Sequence, residues 1–134
     1  MAIGIFRRED YVLAGPVYDD DAQIKGWRPL GGEIEFGERG ADALIREMRE
    51  ETNQEVTDVR IIGTLENLYE HHGEKGHEMV LVYEARFANP SIYDADQLAF
   101  AEADGLEMQA KWISLPKARA GRIALYPDGL ADLL

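Results

Sequence analysis

Apolar residues fall into short runs and longer segments along the chain, and their spacing predicts strands around one central helix. The runs at 2–6 and 11–17 predict two strands that could pair as a hairpin. Residues 57–87 hold two β-prone stretches around the polar turn HHGEKGH, which predicts a long antiparallel hairpin. Between these regions, apolar positions in 41–52 recur at helical spacing and predict an amphipathic helix.

The last third of the chain is less regular. Residues 88–109 are polar and acidic, and they predict a loop with one helical turn near 96–101. Residues 110–121 predict a strand followed by a basic segment, and 124–134 predict a short C-terminal helix with Pro127 near its first turn.

The size and composition of the chain favour one globular domain. Strands on both sides of a central helix, in a chain of 134 residues, predict a single α/β (α+β) domain over residues 1–134. No apolar run is long enough to span a membrane, and the chain has no cysteine, so we expect a cytoplasmic protein without a membrane partner.

The charge of the chain limits its partners. The formal net charge is −12, with 26 acidic and 14 basic residues, whereas binding to a nucleic-acid backbone requires a basic surface. We therefore expect no nucleic-acid partner. A small phosphorylated ligand would need its charge offset locally, by arginines or by divalent cations.

Candidate chemistry is concentrated in residues 27–54, WRPLGGEIEFGERGADALIREMREETNQ. Glu47, Glu50 and Glu51 lie on one side of the predicted helix because they are related as i, i+3 and i+4. These carboxylates repel one another, and they lie near the helix C-terminus, where the macrodipole disfavours negative charge. Solvent or bound cations can relieve this repulsion, and an oxygen-rich cluster without cysteine suits Mg²⁺ or Mn²⁺.

Residues beside this helix are candidates for binding a ligand. Gly31 and Gly32 allow a ligand or metal to approach the main chain closely. Arg28, next to this glycine turn, either contacts a substrate phosphate or forms a surface ion pair. Arg46 lies one helical turn before Glu50 and can pair with it.

The spacing of these residues resembles the signature of Nudix hydrolases, G-x5-E-x7-R-E-U-x-E-E-x-G-U, in which U is a bulky apolar residue. The match runs from Gly32 through Glu38 to the segment 46–51, and Asn53 and Gln54 depart from the pattern. Six fixed positions coincide by chance on the order of once in ten million starting points. Asn53 can end the helix in a left-handed conformation as glycine would, and neither departure affects a candidate metal ligand.

The resemblance implies a Nudix fold, a mixed β-sheet sandwiched between helices. It also implies an enzyme that hydrolyses the pyrophosphate bond of a nucleoside diphosphate linked to another moiety X. The implied partner is a small-molecule nucleotide substrate, and the implied cofactor is Mg²⁺, with Mn²⁺ as the alternative. Dimers are common among the proteins that this chain resembles, so a homodimer is a further expectation.

The resemblance also implies roles for individual residues. The positions that match the family's metal ligands are Glu47, Glu50, Glu51 and the main-chain carbonyl of Gly31 or Gly32. The positions that match Glu38 and Arg46 usually orient other groups. Glu50, oriented by Arg46, is the first candidate for the general base. The alternatives are Glu102 and Glu107, which are otherwise ordinary loop acids, and Glu78, which would be an unusually placed acid within an apolar strand.

Two questions remain open at the level of sequence. The alternative function is a non-catalytic Nudix domain that binds a nucleotide or a partner as a sensor, but such a domain would be expected to have lost motif carboxylates. Damaged nucleoside triphosphates, ADP-ribose, nucleotide sugars and dinucleoside polyphosphates all require the same metal chemistry. The sequence does not choose among these substrates.

Overall fold

The structure, a computed structural model, describes residues 1–134 and has the predicted α+β class. The strands are β1 (Ala2–Ile5), β2 (Arg7–Arg8), β3 (Tyr11–Tyr18), β4 (Ile24–Arg28), β5 (Gly31–Gly32), β6 (Val56–His71), β7 (Glu74–Phe87), β8 (Gln97–Ala101) and β9 (Glu107–Ser114). The helices are α1 (Gly40–Thr52), α2 (Leu115–Arg119) and α3 (Leu130–Leu133), with a 3₁₀ helix at Pro90–Asp94. None of the helices has the length and apolar character needed to cross a membrane.

The strands form two sheets. The first has the order β5-β1-β7-β6 and is mixed, because β1 runs parallel to β7 while the other neighbours are antiparallel. The second has the order β2-β3-β9-β8, and β4 pairs with β3 beside this path. All four residues of β1 are buried, as expected for a strand that is covered on both faces.

The sheets are covered by α1 on one side and by the C-terminal helices on the other. Leu44 and Met48 of α1 are fully buried in one apolar cluster. Val80 and Val82 of β7 pack with Leu130 of α3 in a second cluster. The predicted placement of a mixed sheet between helices is therefore confirmed.

The central helix and the long hairpin are also confirmed. Strands β6 and β7 pair antiparallel along almost their whole length, from Val56 opposite Phe87 to His71 opposite Glu74. Helix α1 ends at Thr52, and its C-cap residue Asn53 has the left-handed conformation expected for this position, with φ 59° and ψ 29°. The backbone N–H of Asn53 donates to the carbonyl of Arg49 at 3.0 Å.

Three predictions about elements were wrong in whole or in part. Of the strands predicted at 2–6 and 11–17, only Phe6 and Leu13 share a backbone hydrogen bond, because residues 2–5 enter the first sheet as β1 while β2 forms the tight hairpin with β3. Residues 97–101 form strand β8 rather than a helical turn, because Leu98 and Phe100 alternate with small or polar residues. The C-terminal helix is shorter than predicted, and Pro127 lies before it.

Candidate active site

The glycine turn lies against the first strand. Gly31 and Gly32 form β5, which pairs with Ala2 and Ile3 of β1. A Cβ atom on Gly31 would overlap the carbonyl oxygen of Ala2, and a Cβ atom on Gly32 would overlap the carboxyl group of Glu47. Gly31 therefore allows the turn to pack against β1, and Gly32 allows the Glu47 side chain to approach the main chain.

Arg46 connects this turn to the acidic face of α1. It donates from Nε and Nη2 to the two carboxylate oxygens of Glu38 at 2.8 and 3.0 Å, and from Nη2 to the carbonyl of Glu33 at 2.9 Å. Its Nη1 donates to Glu47 at 2.9 Å and to Glu50 at 3.2 Å. These bonds raise the pKa of Arg46 and lower the pKa of Glu38, and they hold both helix carboxylates in fixed orientations.

The three helix glutamates have different surroundings. Glu47 and Glu51 line a cleft, whereas the Glu50 side chain is 58% exposed beside Arg46. Burial first, and the negative charges of Glu47 and Glu102 second, raise the pKa of Glu51 to about 8. The surroundings of Glu51 therefore disfavour its ionised form. A nearby cation would stabilise that ionised form.

The donor set fits a hard divalent cation. Glu47 and Glu51 are one helical turn apart and line the same cleft, and the carboxyl group of Glu47 lies against the main chain at Gly32. In this arrangement, no group of three acidic, histidine or cysteine side chains converges as a complete set of ligands. Glu47 and Glu50 are held instead by ion pairs to Arg46, whereas Glu51 has no such partner.

The cleft beside these carboxylates has a volume of about 620 Å³. Gly31, Gly32 and Glu33 line one part of it, and Phe100, Leu106 and Met108 form an apolar wall. The sequence did not indicate this wall, because the surrounding acidic residues made 88–109 resemble a loop. The alternation of Leu98 and Phe100 with small or polar residues was the signal that could have revealed it.

Of the two contacts that the sequence left open for Arg28, the structure shows the ion pair, and the contact with a substrate phosphate stays a prediction. Arg28 lines the cleft, and its Nη2 donates to Glu78 Oε1 at 3.0 Å. Asn67, which the sequence did not single out, donates to the same oxygen at 3.2 Å. Arg28, Asn67 and Glu78 line a second cleft of about 380 Å³ that shares Arg28 with the first.

The other candidate general bases are separated in space. Glu102 lines the first cleft near Glu51, and Glu78 lines the second. Glu107 is exposed at the start of β9 and lines neither cleft. Of these three alternatives, only Glu102 shares the cleft of Glu47 and Glu51.

The α+β fold brings together a glycine turn, an acidic helix anchored by an arginine, and an adjoining cleft. Proteins with this arrangement form a class that can hold a divalent cation against a phosphorylated ligand. The family model for the NUDIX domain matches residues 2–131. The chain therefore belongs to the Nudix family and is a Nudix-type pyrophosphohydrolase. Enzymes of this family generally use divalent metals and act on small nucleotide substrates.

Solved structures share the fold over 98% of this chain. A NUDIX hydrolase from Nitrosomonas europaea is 15% identical with a TM-score of 0.65, and 82% of that chain is covered. The MutT protein from Bacillus halodurans is 17% identical with a TM-score of 0.61 and 76% coverage. The Ap4A hydrolase of C. elegans is 22% identical with a TM-score of 0.56 and 88% coverage. No curated protein sequence matches the chain.

Proposed function

We propose that this protein hydrolyses the pyrophosphate bond of a nucleoside diphosphate linked to another moiety X, with Mg²⁺ as its cofactor and Mn²⁺ as a substitute. The products are a nucleoside monophosphate and the phosphorylated remainder. The observation that carries the proposal is the position of Glu47 and Glu51, which line one cleft together with the Gly31-Gly32 turn and Arg28.

The proposed roles follow the surroundings of each residue. Glu47, Glu50, Glu51 and the main-chain carbonyl of Gly31 would hold the divalent cation. When bound, the cation neutralises phosphate oxygens and makes water more acidic. This resolves the conflict between a net charge of −12 and an anionic substrate.

The protein's own groups orient the reaction. Arg46 and Glu38 form a two-bond ion pair that holds the loop before α1 against the helix. Arg46 also orients Glu50, which we propose as the group that accepts a proton from the attacking water. Arg28, which lines the same cleft, donates to a phosphate group.

A panel of nucleotides incubated with Mg²⁺ or Mn²⁺ tests the proposal, with release of nucleoside monophosphate followed by chromatography. We expect cleavage with either cation and none after chelation with EDTA. Glu50→Gln is expected to lower kcat by about a hundredfold or more, because it removes a general base. Glu102→Gln is the matched control and is expected to change kcat little.

Other results would change the assignment. A large loss of kcat in Glu102→Gln with little change in Glu50→Gln would transfer the role of general base to Glu102. Tight binding of nucleotides without any turnover in the presence of either cation would reject catalysis and favour the sensor function.

A further inference from the structure

The second cleft has the size and position of an additional binding site. Its volume of about 380 Å³ lies within the range of small-molecule pockets. It shares Val17, Arg28 and His71 with the first cleft, so one ligand can extend across both. We propose that this cleft binds a polyhydroxylated sugar as moiety X of the substrate, and that Glu78 determines specificity by accepting hydrogen bonds from sugar hydroxyl groups. This inference rests on the proposed function.

Glu78 occupies a position where the strand would otherwise continue the core. Alternate residues of a strand point to the same face, so Glu78 shares its face of β7 with Val80 and Val82, which are fully buried. The Glu78 side chain is only 18% exposed. Because placing a carboxylate in such a position is costly unless it has partners, a polar function explains it better than packing does.

The hydrogen bonds of Glu78 leave one oxygen free. Arg28 and Asn67 both donate to Oε1, and no protein group donates to Oε2. No fully buried side-chain oxygen in the protein lacks a partner, so Oε2 is accessible to solvent, and Glu78 lines the cleft. An accessible carboxylate oxygen held in place by two donors is suited to accept hydrogen bonds from hydroxyl groups.

Two aromatic rings line the same cleft. Tyr69 packs on Gly76 and Tyr126 packs on Gly26 so closely that a Cβ atom at either glycine would overlap the ring. The C–H face of a sugar ring packs on an aromatic face while its hydroxyl groups bind polar side chains. The cleft is lined by a carboxylate, an amide and two tyrosines, which together supply both kinds of contact.

The charges of the cleft disfavour a second phosphate. Its lining has three carboxylates, Glu70, Glu78 and Asp128, against two cations, Lys25 and Arg28. Arg28 pairs with Glu78, and Lys25 Nζ contacts His71 Nδ1 at 2.9 Å. An uncharged ligand rich in hydroxyl donors fits this lining better than an anion does.

A nucleobase fits the first cleft better than the second. Phe100, Leu106 and Met108 give the first cleft an apolar wall against which a flat ring can pack. Arg28 lines both clefts and uses only one of its five N–H groups on a protein acceptor, so other donors remain for the diphosphate between them. In this arrangement the base of the substrate lies in the first cleft, the diphosphate lies at Arg28, and the sugar lies in the second cleft.

Kinetics of Glu78→Gln with two kinds of substrate test the inference. ADP-ribose and UDP-glucose carry a sugar as moiety X, whereas ATP carries only phosphate at that end. We expect Glu78→Gln to raise KM for the sugar-bearing substrates about tenfold, as loss of a charged hydrogen bond does, with kcat and the KM for ATP nearly unchanged. The matched control is Glu66→Gln, which removes a carboxylate of the same hairpin that pairs with His77 outside both clefts.

Other kinetic results would overturn the inference. A fall of kcat for every substrate at unchanged KM would make Glu78 the general base. Equal rises of KM for ATP and for ADP-ribose would show that Glu78 acts only through Arg28 on the phosphates. If no nucleotide in the panel is cleaved, the proposed function is rejected. A binding measurement then decides whether the second cleft binds a sugar.

A binding measurement on the unaltered protein provides that decision and does not depend on how well a variant folds. Glucose 1-phosphate, with inorganic phosphate as the control, is titrated against ¹⁵N-labelled protein in two-dimensional NMR spectra. We expect the side-chain amide of Asn67 and the backbone amides of Gly26 and Gly76 to shift with the sugar phosphate alone. Identical shifts with inorganic phosphate, or shifts at these positions with AMP and not with the sugar phosphate, would reject a sugar site.

Discussion

The two glycines of the turn are adjacent, yet the groups that require them are of different kinds. The group beside Gly31 is the main chain of Ala2, which the sheet holds in place. The group beside Gly32 is the carboxyl end of Glu47, which can rotate away. A side chain at Gly31 would therefore destabilise the fold, whereas a side chain at Gly32 would displace Glu47, a proposed metal ligand.

Alanine at each position is expected to separate these effects. Gly31→Ala should lower the free energy of unfolding by about 1–3 kcal/mol, because overpacking against a fixed backbone forces the strands apart. Gly32→Ala should leave the melting temperature near that of the original protein but lower kcat/KM about tenfold or more, because Glu47 is displaced. Urea unfolding and nucleotide hydrolysis measure the two quantities. Equal losses of stability in both variants would contradict this distinction.

At the scale of the element, the end of α1 determines how firmly the last two glutamates are held. Asn53 has a positive φ of 59°, and its backbone N–H closes the last turn two residues after Glu51. The Asn53 side chain is exposed and forms no hydrogen bond within the protein. The role of Asn53 is therefore its backbone conformation. Glycine adopts this left-handed conformation without strain, whereas alanine adopts it only at an energetic cost.

Substitutions at this cap are expected to change stability through the backbone alone. Asn53→Ala should lower the free energy of unfolding by about 1 kcal/mol, because a Cβ residue without a polar group resists the left-handed conformation. Asn53→Gly, which restores the residue of the family signature, should be as stable as the original protein or slightly more stable. Thermal unfolding followed by circular dichroism measures both. An alanine variant as stable as the glycine variant would show that the cap does not limit the helix.

The sequence predicted those elements and contacts that depend on local spacing. Arg46 and Glu50 are one helical turn apart, so their pairing could be predicted before the fold was known. Arg28 and Glu78 are separated by 50 positions and meet only because β4 and the β6–β7 hairpin come together in the fold. The second cleft therefore could not be predicted, although Glu78 could be recognised as an unusual acid within an apolar strand.

At the scale of the whole molecule, the acidic charge is unevenly balanced by cations. The chain carries 26 acidic and 14 basic residues, and Arg46 alone pairs with Glu38, Glu47 and Glu50. Glu51 has no such partner, and its pKa is raised. Two kinds of salt effect follow, namely general screening of the net charge and specific binding at the acidic face of α1.

These two effects are expected to separate when NaCl and MgCl₂ are compared at equal ionic strength. Both salts should stabilise the protein by screening, and MgCl₂ should add a specific increment that reaches about 2.7 kcal/mol at a hundred times its Kd. Glu51→Gln should be at least as stable as the original protein in NaCl, because it removes a repelled carboxylate, and it should lose the MgCl₂ increment. Glu55→Gln, at an exposed residue that pairs with Arg49, is the control and should keep the increment. Equal stabilisation of the original protein by the two salts would rule out a specific cation site on this helix.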